Sequence, residues 1–337
     1  MLKTELFTTT PQSVNFNEPT FADEVRKIAV QSEKNGYKGT LIYSDNRLAD
    51  PWELTGFILA ETTTLLPMIA LQPAYMHPYT VAKKIATYGL LYGRQISLNL
   101  IAGGFKRDLE ALGDHTEHDK RYQRLIEYTE IIQLLLQSKK AVSYEGEFYS
   151  INRLKLQPEL PPELQPLYYL SGSSDAAKEA AQTLDAKLIE YPEPHSFYTN
   201  NSAPKATHSN GIRIGILTRT SHDEAWEDAR LRFPETREGA LTHQLAKKTS
   251  DSSWHKKLSD QGDEITEEEP VYWLGPFKNY NTFCPYLVGS YDEVTEEITH
   301  YLQAGCNTCI LDIPVSESEL KHTKHVFTQA EALIPQC

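Results

Sequence analysis

Gln95-Ile-Ser-Leu-Asn-Leu-Ile-Ala-Gly-Gly-Phe105 is the stretch from which the fold is read. Residues 95–101 form a largely apolar run of strand length, and two glycines follow close behind its C-terminal end. In a barrel of parallel strands, that end carries the active site. Gly103 and Gly104 have no Cβ, so a flat ligand or a second stretch of backbone can come close there. A tight strand-to-helix turn accounts for the same residues equally well.

Working outward, seven further segments read as strands: 2–9, 39–44, 66–71, 167–170, 186–190, 212–217 and 308–313. Between them lie helical patterns at 22–34, 53–62, 79–92, 120–137 and 175–184. In 22–34, Val25, Ile28 and Ala29 fall on one face. Short apolar runs separated by helices are the signature of parallel strands buried on both faces. Eight is the number that closes such a sheet, so the expected fold is a (β/α)8 TIM barrel spanning 1–337 as a single domain. An open doubly wound sheet would alternate in the same way, but no GxGxxG follows the first strand and there is no P-loop. A chain of 337 residues exceeds the roughly 250 typical of a barrel, so insertions are expected. The clearest is 243–286, polar at first and aromatic afterwards, which reads as a mobile cover over the active site. A smaller irregular, proline-bearing segment occupies 144–166.

Hydrophobic residues at 40% and charged residues at 23% are enough to fill a sizeable core. A formal net charge of -13 argues against nucleic acid, whose phosphates need a basic surface, and against an anionic membrane. A small molecule or a protein is left as partner. No stretch approaches the roughly 20 apolar residues of a membrane helix, and the first residues show no apolar signal segment. Cys306 and Cys309 make a CxxC without a second pair to complete a metal site, and Cys284 and Cys337 stand apart. The pair reads as structural ahead of redox-active, and a reduced cytoplasmic protein is the simplest inference.

Two more motifs lie at strand-to-helix junctions. His118 and Tyr122, in Glu117-His-Asp-Lys-Arg-Tyr122, are four apart and share one face at a helix N-terminus. A His and a phenol hydroxyl there suit a phosphate, although a solvated first turn explains the pattern as well. Ser171-Gly-Ser-Ser-Asp-Ala-Ala177 follows the strand 167–170 and opens the next helix. Strand, then glycine and serines, then helix N-terminus is an arrangement that holds phosphates, and an ordinary serine cap is its plain alternative. His77-Pro78 reads as a cap followed by proline at the first helical position. Trp273 and Phe277 read equally as lid or core, and the acidic run 267–269 as a solvated face.

Taken in order, AGGFKRDLEALGD (102–114), EHDKRYQR (117–124), YEGEFY (144–149) and SGSSDAA (171–177) resemble the bacterial luciferase-like flavin-dependent monooxygenases, and among them the alkanesulfonate and dimethylsulfone enzymes. Weaker likeness extends to GIRIGILTRTSHDEAW (211–226) and LVGSYDEVTEEI (287–298). The resemblance implies a TIM barrel binding FMN, as FMNH2 supplied by a separate flavin reductase, and reacting with O2 through a C4a-peroxyflavin. It implies a cofactor-binding set of Asp45, Asn99, Ala102, His118, Tyr122, Ser171, Gly172, Ser173 and Ser174, no metal, and Arg213 on the substrate side as the catalytic candidate. It also implies a homo-oligomer, dimer or tetramer.

The same resemblance exposes departures. Gly215 stands where the sulfonate enzymes have a His, Gln72-Pro73 where they have Arg-Pro, and Asp312-Ile313-Pro314 where they have Gly-Tyr-Pro. No Cys occurs in 46–53, near the end of the second strand. The cofactor half is retained and the substrate half rewritten, which points away from a sulfonate and toward another small organic or carrier-bound substrate. A flavin-binding barrel without oxygenase activity and a deazaflavin-dependent oxidoreductase are the alternatives.

Overall fold

Each apolar run named above becomes a strand in the computed structural model, which describes residues 4–16, 20–195, 210–249, 257–260 and 268–334. Residues 2–3 of the first expected strand, much of the polar half of 243–286, Glu267 and Cys337 lie outside the described residues. The strands are β1 (Glu5–Thr9), β2 (Gly39–Ile42), β3 (Leu66–Leu71), β4 (Ser97–Leu100), β5 (Val142–Glu145), β6 (Ser150–Leu154), β7 (Leu167–Ser171), β8 (Lys187–Glu190), β9 (Asn210–Arg219), β10 (Tyr272–Trp273), β11 (Tyr286–Ser290) and β12 (Cys306–Leu311). The hydrogen-bonded order runs β12-β1-β2-β3-β4-β7-β8, and β9 pairs with both β8 and β12. These eight strands close the parallel sheet of a (β/α)8 TIM barrel. Every residue of β2, β3 and β4 is buried, as strands covered on both faces require.

The helices start where the sequence supplies caps. Asp50 accepts from the backbone N–H groups of Trp52 (2.8 Å) and Glu53 (3.1 Å) to open α2 (Pro51–Glu61). The His77 ring accepts from Tyr79 N at 3.2 Å to open α3 (Pro78–Tyr92), with Pro78 at the first helical position. That gives His77 the capping role read from the sequence.

The chain divides into two compact units. One comprises Thr10–Val30 and Gly39–Leu188. Its core sets Ile69, Leu71, Leu98, Leu100 and Leu170 of the strands against Leu125, Tyr128 and Ile132 of α5 (His118–Gln137). The β5–β6 hairpin begins at Val142 and runs into the irregular segment 144–166. The Glu127 carboxylate on α5 accepts from three consecutive N–H groups of its turn, Glu147 (2.8 Å), Phe148 (2.9 Å) and Tyr149 (3.3 Å).

The other unit comprises Met1–Thr9, Gln31–Lys38 and Ile189–Cys337. Ile212, Ile214 and Ile216 of β9 join Cys309 and Leu311 of β12 in a core with Val326 and Phe327, both on the last helix (Glu317–Leu333). The segment 243–286 contributes ordered elements here. Tyr272–Trp273 pairs antiparallel with β11, and Phe277 is buried against the His243 ring. Trp273 stands edge-on to Trp226, with 4.9 Å between ring centroids.

Candidate active site

The serine motif forms a closed cradle. The Ser171 hydroxyl, at the end of β7, donates to Asn99 Oδ1 on the neighbouring β4 at 2.8 Å. Ser174 caps α6 (Asp175–Thr183), its Oγ accepting from Ala177 N at 3.2 Å. The Tyr122 phenol reaches in from α5 and shares a hydrogen bond with Ser174. A Cβ on Gly172 would lie 2.7 Å from the Ala177 Cβ and 2.8 Å from the Tyr122 hydroxyl. Only a glycine lets helix, phenol and strand end approach this closely.

Burial raises the Tyr122 pKa, so the phenol stays protonated and available as a donor. The His118 ring stands edge-on to that of Tyr122, with centroids 5.3 Å apart, and its Nδ1 lies 2.7 Å from the Asp119 carboxylate. Neutral hydroxyls gathered at the N-terminus of a helix are chemistry that suits a phosphate dianion. Ala102 is buried at the end of β4, and Gly103 adopts φ +104, a conformation that favours glycine. A Cβ on Gly104 would meet nothing within 4 Å. The structure thus brings Asn99, Ser171, Gly172, Ser174, Tyr122 and His118 together.

Asp45 belongs to a different group. Arg47 clasps it through its backbone N–H (2.9 Å) and its guanidinium (3.1 Å). Burial opposes ionisation of this carboxyl, but the Arg47 hydrogen bonds prevail and hold its pKa below the usual value. Tyr75, pushed up to about 12 by burial and by the charges of Asp45 and Asp108, donates to the Asn46 side chain at 2.8 Å. Among the described residues Asp45 makes no hydrogen bond to the serine cradle.

The loop entering α5 is pinned by a set that the sequence reading missed. Asp114 accepts from Arg124 Nη2 (2.6 Å), Thr116 Oγ1 (2.6 Å) and Thr116 N (3.0 Å). Burial opposes ionisation of Asp114 too, yet these bonds bring its pKa down to about 2.

In the other unit Arg213 is buried on the face of β9 opposite the isoleucines. Its charge is felt by half-buried Tyr191 and buried Cys284, as is that of Asp312. Asp312 Oδ2 accepts from Thr282 Oγ1 at 2.6 Å and from Tyr286 OH at 2.8 Å. Tyr286 and Thr282 were also missed from sequence. The signal was Gly215: a Cβ there would lie 2.2 Å from the Tyr286 ring, so the glycine is what seats the tyrosine. Behind Asp312, Arg232 pairs with Glu319 and donates to Ile313 O at 2.8 Å, which fixes the turn after β12.

Cys306 and Cys309 form no disulfide and are buried in one core cluster, and burial pushes the Cys306 thiol up to about 12. That environment makes thiolate chemistry unfavourable and fits a structural role. Among the described residues no cluster of His, Cys, Asp and Glu is arranged to hold a metal ion, and no helix is long and apolar enough to cross a membrane.

The barrel is that of a monooxygenase class, and the chain belongs to the luciferase-like monooxygenase family, whose model matches residues 2–308. It is 34% identical over 311 residues, 91% of either chain, to a 4-(γ-L-glutamylamino)butanoyl-[BtrI acyl-carrier protein] monooxygenase, BtrO, of Niallia circulans. Among solved structures it is similar to a riboflavin lyase, RcaE, holding a modified FMN and riboflavin (TM-score 0.76, 15% identity, 98% of this chain and 92% of that one). It is also similar to a long-chain alkane monooxygenase, LadA (TM-score 0.73, 16% identity, 98% and 91%). The family resemblance and the barrel expected from sequence are both borne out.

Proposed function

We propose that this protein is a reduced-FMN-dependent monooxygenase that hydroxylates an acyl chain carried as a thioester on a carrier protein. The observation that supports the cofactor is the Tyr122–Gly172–Ser174 cradle; the substrate class rests on the similarity to the carrier-protein monooxygenase. Bound reduced flavin supplies the activation of O2. Ser173, Ser174 and Tyr122 hold the phosphate as neutral donors and His118 adds a ring N–H, while Ser171, its hydroxyl given to Asn99, shapes the strand end beside them. Asn99 keeps the Ser171 hydroxyl oriented. Ala102 and Gly104 leave a flat surface for the isoalloxazine, and Asp45 lies at the rim. Arg213 orients the substrate. A cover supplied by the segment 243–286 would exclude water from a reactive flavin and so limit its loss to hydrogen peroxide. A separate flavin reductase delivers FMNH2, and the enzyme works in the cytoplasm as a homodimer or homotetramer.

Anaerobic titration tests the cofactor assignment. Photoreduced FMN should bind in the low-micromolar range, and reduced riboflavin, which lacks the phosphate, at least about tenfold more weakly, a difference of about 1.4 kcal/mol. Equal affinity for the two would remove the cradle from the account. Binding of the deazaflavin F420 without binding of FMN would replace the cofactor.

A further inference from the structure

The residues around Gly215 read as a recognition site of defined chemistry. In register, Arg213 of β9 faces Ile310 of β12 and Ile214 faces Leu311. Continuing by one residue sets Asp312 level with Gly215, on the same face of the sheet as Arg213. Two residues of rise and one strand spacing put the Arg213 and Asp312 backbones about 8 Å apart, close enough for the two side chains to meet one small group. Asp312 is only partly buried, and both of its hydroxyl donors, Thr282 and Tyr286, bind Oδ2. No hydrogen bond to Oδ1 occurs among the described residues. The carboxylate is therefore oriented by neutral groups rather than consumed by a cation. Arg232, which feels the charge of Asp312, makes its own contacts with Glu319 and the carbonyl of Ile313.

The route by which Tyr286 arrives is equally specific. Tyr286 faces Gly215 in register, its ring fills the space a side chain at 215 would need, and Gly215 N donates to Pro285 O at 2.8 Å. Gly215 thus admits a phenol that holds a carboxylate. A site for an anion alone gains nothing from that carboxylate, since a charge in the protein interior is costly unless it is paired.

We infer that Arg213 and Asp312 form a clamp for a zwitterionic amino-acid head at the distal end of the acyl substrate, with the guanidinium taking the carboxylate and Asp312 Oδ1 the ammonium. Tyr286 and Thr282 are positioning residues that aim Asp312, and Gly215 makes room for them. This inference rests on the carrier-bound acyl reading and adds to it the chemistry of the far end of the chain.

Three carrier thioesters test it: one with a γ-glutamyl head, one with the glutaryl head that lacks only the ammonium, and one with the 4-aminobutanoyl head that lacks only the carboxylate. The wild-type enzyme should prefer the γ-glutamyl thioester to each of the others by at least tenfold in kcat/KM, mainly through KM. Asp312→Asn should abolish the preference over the glutaryl thioester, and Tyr286→Phe should weaken it by a smaller factor. Arg213→Gln should abolish the preference over the aminobutanoyl thioester. Affinity of the flavin-free protein for the γ-glutamyl pantetheine thioester, measured by calorimetry, should fall in parallel. Retained affinity for reduced FMN shows that each variant is folded. A ratio unchanged by Asp312→Asn, or hydroxylation of all three thioesters without discrimination, overturns the clamp and leaves the carrier-bound reading intact. Hydroxylation of none of them overturns both.

Discussion

At the scale of single residues, two glycines decide how the site is built. Gly172 lets the Tyr122 hydroxyl and the start of α6 close on the end of β7, and Gly215 lets Tyr286 reach Asp312. Gly172→Ala would put a methyl 2.8 Å from the Tyr122 oxygen, so the phenol must move out of the cradle. Tyr122→Phe removes the same donor without the crowding. A hydrogen bond to a charged group contributes about 1.5–3 kcal/mol, so either substitution should weaken reduced-FMN binding by roughly ten- to a hundredfold. Affinity for reduced riboflavin should change little, because it has no phosphate to lose. A riboflavin affinity that falls in step with that of FMN would mean that Tyr122 supports the ring or the fold instead. Neither role of glycine is visible in a sequence. The SGSS run announces a turn before a helix, but the tyrosine that closes on it comes from α5. Gly215 and Tyr286 are partners only through the register of β9 and β11.

At the scale of elements, α5 carries Tyr122 and His118, and its entry is held by Asp114 and Arg124. The Asp114 pKa falls to about 2 in the folded protein, below the roughly 3.9 of an unfolded aspartate. Such a group adds stability that is complete above the unfolded value and is lost as pH falls toward 2. Asp114→Asn should therefore lower the urea midpoint at pH 7, by about 1–2 kcal/mol of stability. The gap to wild type should narrow between pH 4 and pH 2. A gap independent of pH would show that the ionised carboxylate is not what pins the loop.

The elements themselves were largely legible. Strands buried on both faces are largely apolar, and that is why the runs at 39–44, 66–71 and 95–101 were recognisable. The histidine cap with proline at the first helical position and the serines before Asp175 marked the starts of α3 and α6, whereas the Asp50-capped start of α2 at Pro51 lies two residues before the expected 53. The β5–β6 hairpin escaped because its strands are half exposed, and its turn is satisfied by a carboxylate from α5 rather than by a recognisable turn sequence. The short antiparallel β10–β11 pair escaped because its strands lie within and beside a segment that the sequence marks as an insertion.

At the scale of the whole molecule, the family match and the likeness to a carrier-protein monooxygenase run through nearly all of the chain. The activity is therefore expected of the entire barrel rather than of a detachable piece. The net charge of -13 fits the proposed partners, a reductase, a soluble cofactor and a carrier, rather than nucleic acid. The most direct test is a single turnover with photoreduced FMN, 18O2 and a γ-glutamyl-headed acyl thioester on a carrier protein, with the released acyl group analysed by mass spectrometry. Incorporation of one 18O atom into the acyl chain, dependent on both the protein and reduced FMN, is the predicted result. Reduced FMN that binds yet yields only hydrogen peroxide and an unchanged acyl chain would contradict the account.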